Sequence, residues 1–571
     1  MPGQAPPAVT EPAPAGAGSR RPYARVFYPA AAIILAFVLV TLVIPEPFKA
    51  FVDRGNEVIV DGLGWYYVLI VTGFVFFCVW LAVSRLGDIT LGPDEEPPTY
   101  RLGSWFAMLF AAGMGIGLVF YGVAEPLYHF AGPPPGVIGS EQAIAQSAMN
   151  RTFLHWGVHA WAIYVVVGLS VAYAVHRRGR PVSIRWALEP LLGRRVQGWL
   201  GDVIDVAAIV GTVFGVATSL GLGVSQVGAG LEYLGIVSTV TPGLLVALIT
   251  GITVLATASV VSGLDRGIKW LSNINMTMAL ALALAVLLLG PTLFLLREFV
   301  QSLGSYLQHF LGLSFTTLPF YGEDGRSWLG GWTTYYWGWW MSWSPFVGVF
   351  IARISRGRTV REFVVGVLLV PTLVTFAWFS VMGGSALARE MGGGGGLIGE
   401  DGSVSLNDAL FQMLDPLPGA ALLAGVAVLL VVIFFVTSSD SGSFVVDMIA
   451  HGGNPHPPVW SRVFWAVLEG AIAAVVLGVV GAELGLAALQ IMAIIVAAPF
   501  SVVMLAMCVA LFRGLRAERQ EMAALERAVR RRELLLELRE QQEQEDQEEA
   551  AGTPAGGSPV VRGDGPVGPR R

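Results

Sequence analysis

The chain has 571 residues, of which 54% are hydrophobic and 13% are Asp, Glu, Lys or Arg, and its formal net charge is −6. A soluble globular protein has about 25% charged residues, and here the deficit lies in long runs that contain no charge at all. The composition therefore excludes a soluble enzyme, a nucleic-acid-binding protein and a disordered protein, and it indicates a polytopic helical membrane protein. Cys78 and Cys508 lie within apolar runs and predict neither a disulfide framework nor a metal site.

In chain order, the sequence predicts an all-α protein with twelve membrane-spanning helices. Residues 1–25 begin with a stretch rich in Pro, Ala and Gly and are predicted to form a disordered tail. The first span follows at residues 26–45, which lack the cleavage site of a signal peptide. Eleven further apolar runs are each long enough, at roughly 20 residues or more, to cross the hydrocarbon. They are 63–84, 102–124, 152–176, 206–231, 233–264, 270–296, 327–352, 363–388, 416–439, 463–482 and 484–512.

The distribution of basic residues predicts the orientation of the spans in the cell membrane. Most Arg and Lys residues of the loops fall on one side, and six of them lie between Arg177 and Arg195. Cytoplasmic loops carry such an excess, so both termini are predicted to be cytoplasmic. On the other side, residues 298–326 have apolar side chains at helical spacing and are predicted to form a periplasmic amphipathic segment. The glycine-rich stretch from Gly392 to Asn407 is predicted to be a mobile loop or a hinge.

The C-terminal segment has a different composition from the spans. Residues 513–549 are first arginine-rich, with an apolar stripe, and then acidic, which is typical of an amphipathic cytoplasmic helix. One interpretation is a solvated helix that follows the positive-inside rule. The other is a helix that docks on anionic lipid or on the cytoplasmic loops and regulates activity. Residues 550–571 are predicted to form a disordered tail.

The third predicted span contains three glycines at a spacing of two, in the stretch Ala111-Ala112-Gly113-Met114-Gly115-Ile116-Gly117. Glycine is a poor helix former, so the stretch marks either tight helix packing or an unwound segment that faces a cavity. Broken helices at the middle of the membrane are the places where many secondary transporters bind substrates and ions.

Aromatic residues are concentrated in two of the predicted spans. In the fourth, Trp156, Trp161 and Tyr164 can face one cavity. The eighth contains Trp337, Trp339, Trp340 and Trp343, too deep for an interfacial belt, and Ser342, Ser344 and Pro345, which are expected to weaken the helix. An aromatic box suits a quaternary ammonium group, which cannot donate hydrogen bonds but is attracted by the faces of aromatic rings.

The tenth predicted span ends in a run of hydroxyl residues, Thr437-Ser438-Ser439-Asp440-Ser441. Such hydroxyls either bond back to the preceding helical turn or coordinate a hard cation such as sodium. Asp440 and Glu469 are carboxylates at membrane depth, which makes them candidates for a role in coupling. Each of them could equally pair with a nearby arginine.

At these residues the sequence resembles the betaine/carnitine/choline transporter family. The matching stretches are GMGIGLVFYGVAEP at 113–126, HWGVHAWAIY at 155–164, TVFGVATSLGLG at 212–223, WGWWMSWSPFVGVFIARISRGRTVREF at 337–363 and FFVTSSDSGS at 434–443. The resemblance implies a leucine-transporter-like fold with two inverted five-helix repeats, at 102–297 and 327–512. Two peripheral helices at 26–85 precede them. It also implies a homotrimer.

The resemblance further implies which residues bind substrate and sodium. The aromatic box would be Trp156, Trp161, Tyr164 and Trp340. Trp337, Trp339 and Trp343 would line the pathway or a cytoplasmic-side site, and the backbone of Gly113, Met114 and Gly115 would meet the substrate carboxylate. One sodium would be held by Ala111, Met114, Phe434, Thr437 and Ser438. A second would use Thr212, but its partner position is Val216, which has no hydroxyl. Gly117 favours a zwitterion over choline, and the intact GMGIG pattern favours sodium coupling.

These observations lead to one expected function and two alternatives. We expect a sodium-coupled symporter, with no enzymatic activity and no cofactor other than Na⁺, that imports glycine betaine or a similar quaternary ammonium or sulfonium zwitterion for osmotic stress protection. A transporter of the same fold could instead carry choline or carnitine by exchange or with protons. The third class is a membrane osmosensor or channel gated by the C-terminal helix.

Overall fold

The structure, a computed structural model, describes the backbone of residues 21–113, 115–262 and 264–552. Side chains are described in the same ranges except at 110–113, 262, 264–270, 482–483 and 548–552. The predicted N-terminal tail before residue 21, Met114 and the predicted tail from residue 553 onward lie outside the described residues. Within the described ranges every extended regular element is a helix, and two isolated bridges join Thr90 to Thr359 and Ile398 to Val404. The predicted all-α class is confirmed for this part of the chain.

Twelve α-helices precede the eighth predicted span. They are α1 (Ala24–Val43), α2 (Pro45–Val83), α3 (Leu102–Gly113), α4 (Ile116–Ala131), α5 (Glu141–Trp156), α6 (Val158–Ala172), α7 (Ile184–Ala187), α8 (Glu189–Leu192), α9 (Trp199–Tyr233), α10 (Pro242–Ser262), α11 (Leu264–Leu289) and α12 (Thr292–Ser314). Gly157, with φ −97° and ψ −136°, separates α5 from α6, and a π-helical turn, Tyr173–Arg177, follows α6. Short 3₁₀ turns lie at Arg85–Asp88 and Gly193–Gln197.

Seven α-helices follow in the second half of the chain. They are α13 (Gly322–Leu329), α14 (Tyr335–Ile354), α15 (Val360–Met391), α16 (Ala409–Leu414), α17 (Ala420–Ala450), α18 (Val459–Val475) and α19 (Ala482–Gly552). A 3₁₀ turn, Pro319–Tyr321, precedes α13, and π-helical turns at Gly330–Thr334 and Val476–Val480 precede α14 and follow α18.

Ten helical stretches in the described part of the chain are long and apolar enough to cross a membrane. They are α1, α2, α5 with α6, α9, α10, α11, α15, α17, α18 and α19. The third predicted span does not meet this length criterion, because it is broken into α3 and α4, of 12 and 16 residues. The eighth predicted span, which forms α14, is also not among the ten. The chain is therefore a multi-pass membrane protein, and the number twelve stays a prediction.

The structure of the eighth predicted span differs from what its sequence led us to expect. Ser342, Ser344 and Pro345 were expected to weaken the helix there, but α14 runs unbroken through all three. The two serine hydroxyls donate to the carbonyls of Trp339 and Met341, at 2.9 and 2.7 Å, so their polar groups are satisfied within the helix. The irregularity lies directly before α14 begins, in the π-helical residues Gly330–Thr334.

The packing of α14 positions the candidate site. It lies against α6 and α9, while α17 packs on α9 and α15 packs on α4 and α6. The broken third span, the tryptophan-rich α14 and the hydroxyl-rich α17 therefore meet around α6 and α9. The described residues up to Arg513 form one compact unit, which contains the candidate site, and those from Gly514 onward form a second. The described part of the second unit, to residue 552, is helical, with exposed apolar side chains such as Leu525 and Leu536.

Candidate functional site

The break in the third predicted span lies against two other helices of the core. The helix α3 ends at Gly113 and α4 begins at Ile116, with Gly115 in an extended conformation between them, at φ −136° and ψ −144°. A Cβ atom on Gly115 would lie 3.5 Å from Ser438 Oγ on α17 and 3.5 Å from Trp343 Cη2 on α14. Of the two interpretations left open for the glycines, this geometry fits an unwound segment packed against the helices that carry the other candidate residues.

The four residues assigned to the aromatic box form a continuous chain of ring contacts. Trp156 and Trp340 meet edge to face with centroids 4.9 Å apart, Tyr164 lies 6.3 Å from Trp340, and Trp161 lies 5.4 Å from Tyr164. All four side chains are at most 3% exposed. Trp156 ends α5, Trp161 and Tyr164 lie on α6, and Trp340 lies on α14. The structure thus brings residues of the fourth and the eighth predicted spans into one apolar cluster.

The other tryptophans of α14 divide between two faces. Trp339 stacks on Trp340 with centroids 4.5 Å apart and an interplanar angle of 16°, and Trp343 lies 5.8 Å from Trp339. These two rings extend the box toward Gly115. Trp337 instead stacks on His159, at 5.5 Å, and meets His155 edge to face. Of the three tryptophans predicted along the pathway, Trp337 is therefore the one that packs on these histidines and not on the rings of the box.

Several polar atoms around the box have no hydrogen-bond partner among the described residues. They are the indole N–H groups of Trp161, Trp339 and Trp343 and the hydroxyl of Tyr164, all buried. Buried donors are ordinarily paired, so unpaired ones need an explanation. These four donors lie beside a cluster of aromatic rings. The arrangement suits a ligand with a cationic group that donates no hydrogen bonds, which the rings attract, and with acceptors for the four donors.

A buried carboxylate that the sequence reasoning missed lies directly behind the box. Glu125 on α4 is fully buried, and its Oε2 accepts hydrogen bonds from Trp156 Nε1, at 2.6 Å, and from the Tyr336 hydroxyl. Its Oε1 lies 2.7 Å from His155 Nδ1 and 3.3 Å from His129 Nε2. The apolar run of the third span ended at residue 124, so Glu125 was placed just beyond it. Its position inside a matching stretch, GVAEP, was the available signal.

The same cluster is the candidate metal site of the described residues. Donor atoms of Glu125, His129 and His155 lie within 4.8 Å of one another. The geometry is equally that of a hydrogen-bond network, because both rings can donate to the carboxylate and His155 Nε2 reaches Thr333 Oγ1 at 3.0 Å, while His129 Nδ1 has no partner among the described residues. We therefore assign the three residues to a hydrogen-bond network.

The residues assigned to the first sodium lie in two places. Thr437 Oγ1 donates to the carbonyls of Ile433, at 2.9 Å, and Phe434, at 3.2 Å, which is the back-bonded arrangement. Ser438 is on the turn that faces Gly115. Ala111 belongs to α3 and its side chain is not described, and Met114 lies outside the described residues. The structure places α17 next to the break between α3 and α4, and sodium coordination by these residues stays a prediction.

Residues near the second predicted sodium form a separate buried polar group. Thr212 Oγ1 is buried without a partner among the described residues. A Cβ on Gly442 would lie 3.0 Å from Val216 Cγ2 and 3.5 Å from Glu469 Oε1, so Val216 and the Glu469 carboxylate both lie beside Gly442. Glu469 Oε2 accepts from Ser439 Oγ at 3.1 Å, and Asp440 accepts from Ser259 Oγ at 2.6 Å. Both carboxylates are buried beside hydroxyl groups.

Comparisons with known proteins match most of the chain. The model of the betaine/carnitine/choline family transporter matches residues 25–520. An uncharacterized transporter of Mycobacterium tuberculosis is 55% identical over 492 residues, which are 86% of this chain and 82% of that protein. Glycine betaine transporter OpuD of Bacillus subtilis is 44% identical, over 88% of this chain and 96% of its own length. Glycine betaine transporter 1 of Vibrio parahaemolyticus is 46% identical, over 87% and 94%.

Proposed function

Because the chain belongs to the betaine/carnitine/choline transporter family, we propose that it imports glycine betaine, or a similar quaternary ammonium or sulfonium zwitterion, together with sodium. The observation that carries the proposal is the cluster of four buried rings, Trp156, Trp161, Tyr164 and Trp340, lined by unpaired donors. The names of the relatives from Bacillus subtilis and Vibrio parahaemolyticus support the choice of substrate. Accumulated betaine would protect the cell against osmotic stress.

The chemistry of the box matches both ends of such a substrate. A trimethylammonium group has no hydrogen-bond donor, and its charge is attracted to the electron-rich faces of tryptophan and tyrosine rings. The carboxylate at the other end needs donors, which the indole N–H groups of Trp339 and Trp343 and the backbone around Gly115 can supply. Choline lacks that carboxylate, so the donors favour a zwitterion.

The proposal includes an architecture and a transport cycle. The chain would have twelve spans, with inverted repeats at 102–297 and 327–512, cytoplasmic termini and a homotrimeric assembly in the cell membrane. The break at Gly115 lies in the first helix of the first repeat, and α14 begins the second. Rocking of one helix bundle against the other around the box would expose it to each side in turn.

Sodium would bind where α17 meets the break. The hydroxyl of Ser438 faces Gly115, and the Phe434 carbonyl is next to the Thr437 hydroxyl, so several oxygen atoms lie within one turn of α17. Oxygen atoms are the ligands that a hard cation prefers. A sodium ion there would link the broken helix to α17 and favour the conformation that binds substrate.

Removing both hydroxyls of this turn is expected to weaken sodium coupling. In the variant Thr437→Ala with Ser438→Ala, the sodium concentration for half-maximal uptake should rise about tenfold, because two oxygen ligands are lost at about 1 kcal/mol or less each. Uptake of labelled glycine betaine at varied sodium measures it. Thr250→Ala is a matched control, since Thr250 makes the same back-bond on the exposed face of α10. An unchanged sodium dependence would remove the site.

The overall proposal is tested by uptake into proteoliposomes. Purified protein should accumulate labelled glycine betaine to saturation when an inward sodium gradient is imposed, and not with potassium in its place. Accumulation without sodium would favour the alternative, a choline or carnitine transporter driven by protons or exchange. Conductance without substrate saturation would favour a sensor or channel.

The C-terminal segment, residues 513–549, is assigned a regulatory role in the proposal. Its apolar residues, among them Leu525, Val529 and Leu536, are about half or more exposed, and they alternate with arginines that can attract anionic lipid. Truncation after Arg513 is expected to leave sodium-driven uptake in place and to abolish its activation by high osmolality. A truncated protein that still responds to osmolality would show that the helix has no such role.

A further inference from the structure

We propose that Glu125 is a positioning residue of the aromatic box: it fixes the Trp156 indole and strengthens the attraction of that ring for a quaternary ammonium cation. This inference rests on the proposed function. Glu125 touches no part of a substrate held in the box, because the indole lies between them. Its effect on binding is therefore transmitted through Trp156.

Glu125 is surrounded by hydrogen-bond donors on every side that the structure describes. Trp156 Nε1 and the Tyr336 hydroxyl share Oε2, and the rings of His129 and His155 share Oε1. A buried charge is tolerated only where it is hydrogen-bonded, and four donors are the surroundings that an ionised carboxylate requires. Among the described residues the ion-pair partners of Glu125 are these two histidines, and the guanidinium of Arg151 lies instead over Trp328, 5.4 Å from the ring centroid.

The network fixes both principal walls of the box through neighbouring groups. Trp156 is held by the Glu125 carboxylate, and Trp340 Nε1 donates to the backbone carbonyl of His155 at 2.9 Å. His155 is itself held by Glu125 on one ring nitrogen and by Thr333 on the other. A change at Glu125 therefore releases Trp156 first and reaches Trp340 through His155.

The hydrogen bond also acts on the electronic character of the Trp156 ring. An indole whose N–H points at a carboxylate has more electron density on its faces than one whose N–H points at a neutral acceptor, because the negative charge polarises the ring. Cation–π attraction is electrostatic and follows that density. Because the site is buried and dry, the effect is larger than it would be in water.

The test compares glycine betaine with a molecule of the same shape that keeps the carboxylate but lacks the positive charge. In Glu125→Gln the side-chain amide can still accept from Trp156 Nε1, but the charge is gone. Binding of glycine betaine, measured by tryptophan fluorescence on purified full-length protein, should weaken about tenfold, within the range of a desolvated cation–π contact. Binding of 3,3-dimethylbutanoate, which has carbon in place of nitrogen, should change less than about threefold. Equal losses for both ligands, or no loss for either, would overturn the proposal.

A second measurement tests the route through Trp156. Phenylalanine has no N–H, so in the Trp156→Phe background the further change Glu125→Gln should weaken betaine binding little. Losses that add in full would overturn the proposal. If the carbon analogue does not bind the wild type, this cycle decides the matter. If Glu125→Gln alone does not fold, the single variant Trp156→Phe should itself lower betaine binding about tenfold, and an unchanged affinity would overturn the proposal.

A matched control separates this role from general stability. Asp447, near the C-terminal end of α17, is also a fully buried carboxylate, and its partners are Ser461 on α18 and His451. Asp447→Asn should lower the melting temperature without altering the betaine dissociation constant. If the wild-type protein does not bind betaine at all, the proposed function fails. If it binds and Glu125→Gln binds equally well, only the role of Glu125 fails.

Discussion

Replacing Trp340 with alanine is expected to weaken glycine betaine binding about 30-fold or more. A cation–π contact in a desolvated site is worth about 2 kcal/mol or more, and 1.4 kcal/mol is a factor of ten in affinity. Isothermal titration on purified protein measures the change directly, and it does so without requiring that the transport cycle still runs.

Trp340 is the residue with the largest expected effect because it joins the two halves of the box. Its ring contacts Trp156, Tyr164 and Trp339, and its N–H is fixed on the His155 carbonyl. Alanine at this position removes one wall and leaves a cavity beside three others, whose rings can then shift. The loss should therefore exceed that of a single ring contact.

Two variants show whether the effect belongs to the ring. Trp340→Phe keeps an aromatic face and should lose less than half of the binding free energy that the alanine variant loses. Trp65→Ala removes an indole that is 57% exposed on α2 and should leave the affinity unchanged. If Trp340→Ala folds, as judged by its melting temperature, and binds betaine like the wild type, the assignment of the box is wrong.

The aromatic composition of the site was accessible from the sequence, because helical periodicity relates residues within one span. Trp156, Trp161 and Tyr164 could be placed toward one cavity from their spacing alone. The structure brings Trp156 and Tyr164 into contact with Trp340, and Trp161 into contact with Tyr164. The division of the α14 tryptophans between two faces was less evident. Trp337 lies on the His159 side because α5 and α6 flank α14 there, and a single sequence does not show which neighbours a helix has.

The hydrogen-bond network behind the box could not be deduced in the same way. Glu125 and Tyr336 are 211 positions apart, and no local pattern relates them. The expectation that α14 would be unwound failed for a related reason. Serine and proline weaken an isolated helix, but buried serine hydroxyls at Ser342 and Ser344 bond within the helix, and packing on α6 and α9 holds it straight.

Gly117 shows how the backbone limits the shape of the box. It lies on the first turn of α4, two residues after the break. A Cβ atom there would lie 2.7 Å from Trp339 Cη2 and 2.8 Å from Trp156 Cη2. Both distances are shorter than van der Waals contact, and both rings are almost completely buried, so neither can move aside without displacing the rest of the cluster. Even one methyl group at this position therefore displaces Trp156 and Trp339 together.

Gly117→Ala is accordingly expected to weaken glycine betaine binding about tenfold or more, with overpacking that costs about 1–3 kcal/mol of stability. Titration and thermal unfolding of the same preparation measure the two effects. Gly251→Ala is the matched control, because Gly251 is also within a predicted span but nothing lies within 4 Å of its Cβ position. Alanine is the better helix former, so that variant should bind betaine normally and be slightly more stable. Normal binding by Gly117→Ala would mean that Trp156 and Trp339 can move apart without loss of affinity. Rings that are so mobile could not hold a ligand by ring contacts, and the assignment of the box would then be wrong.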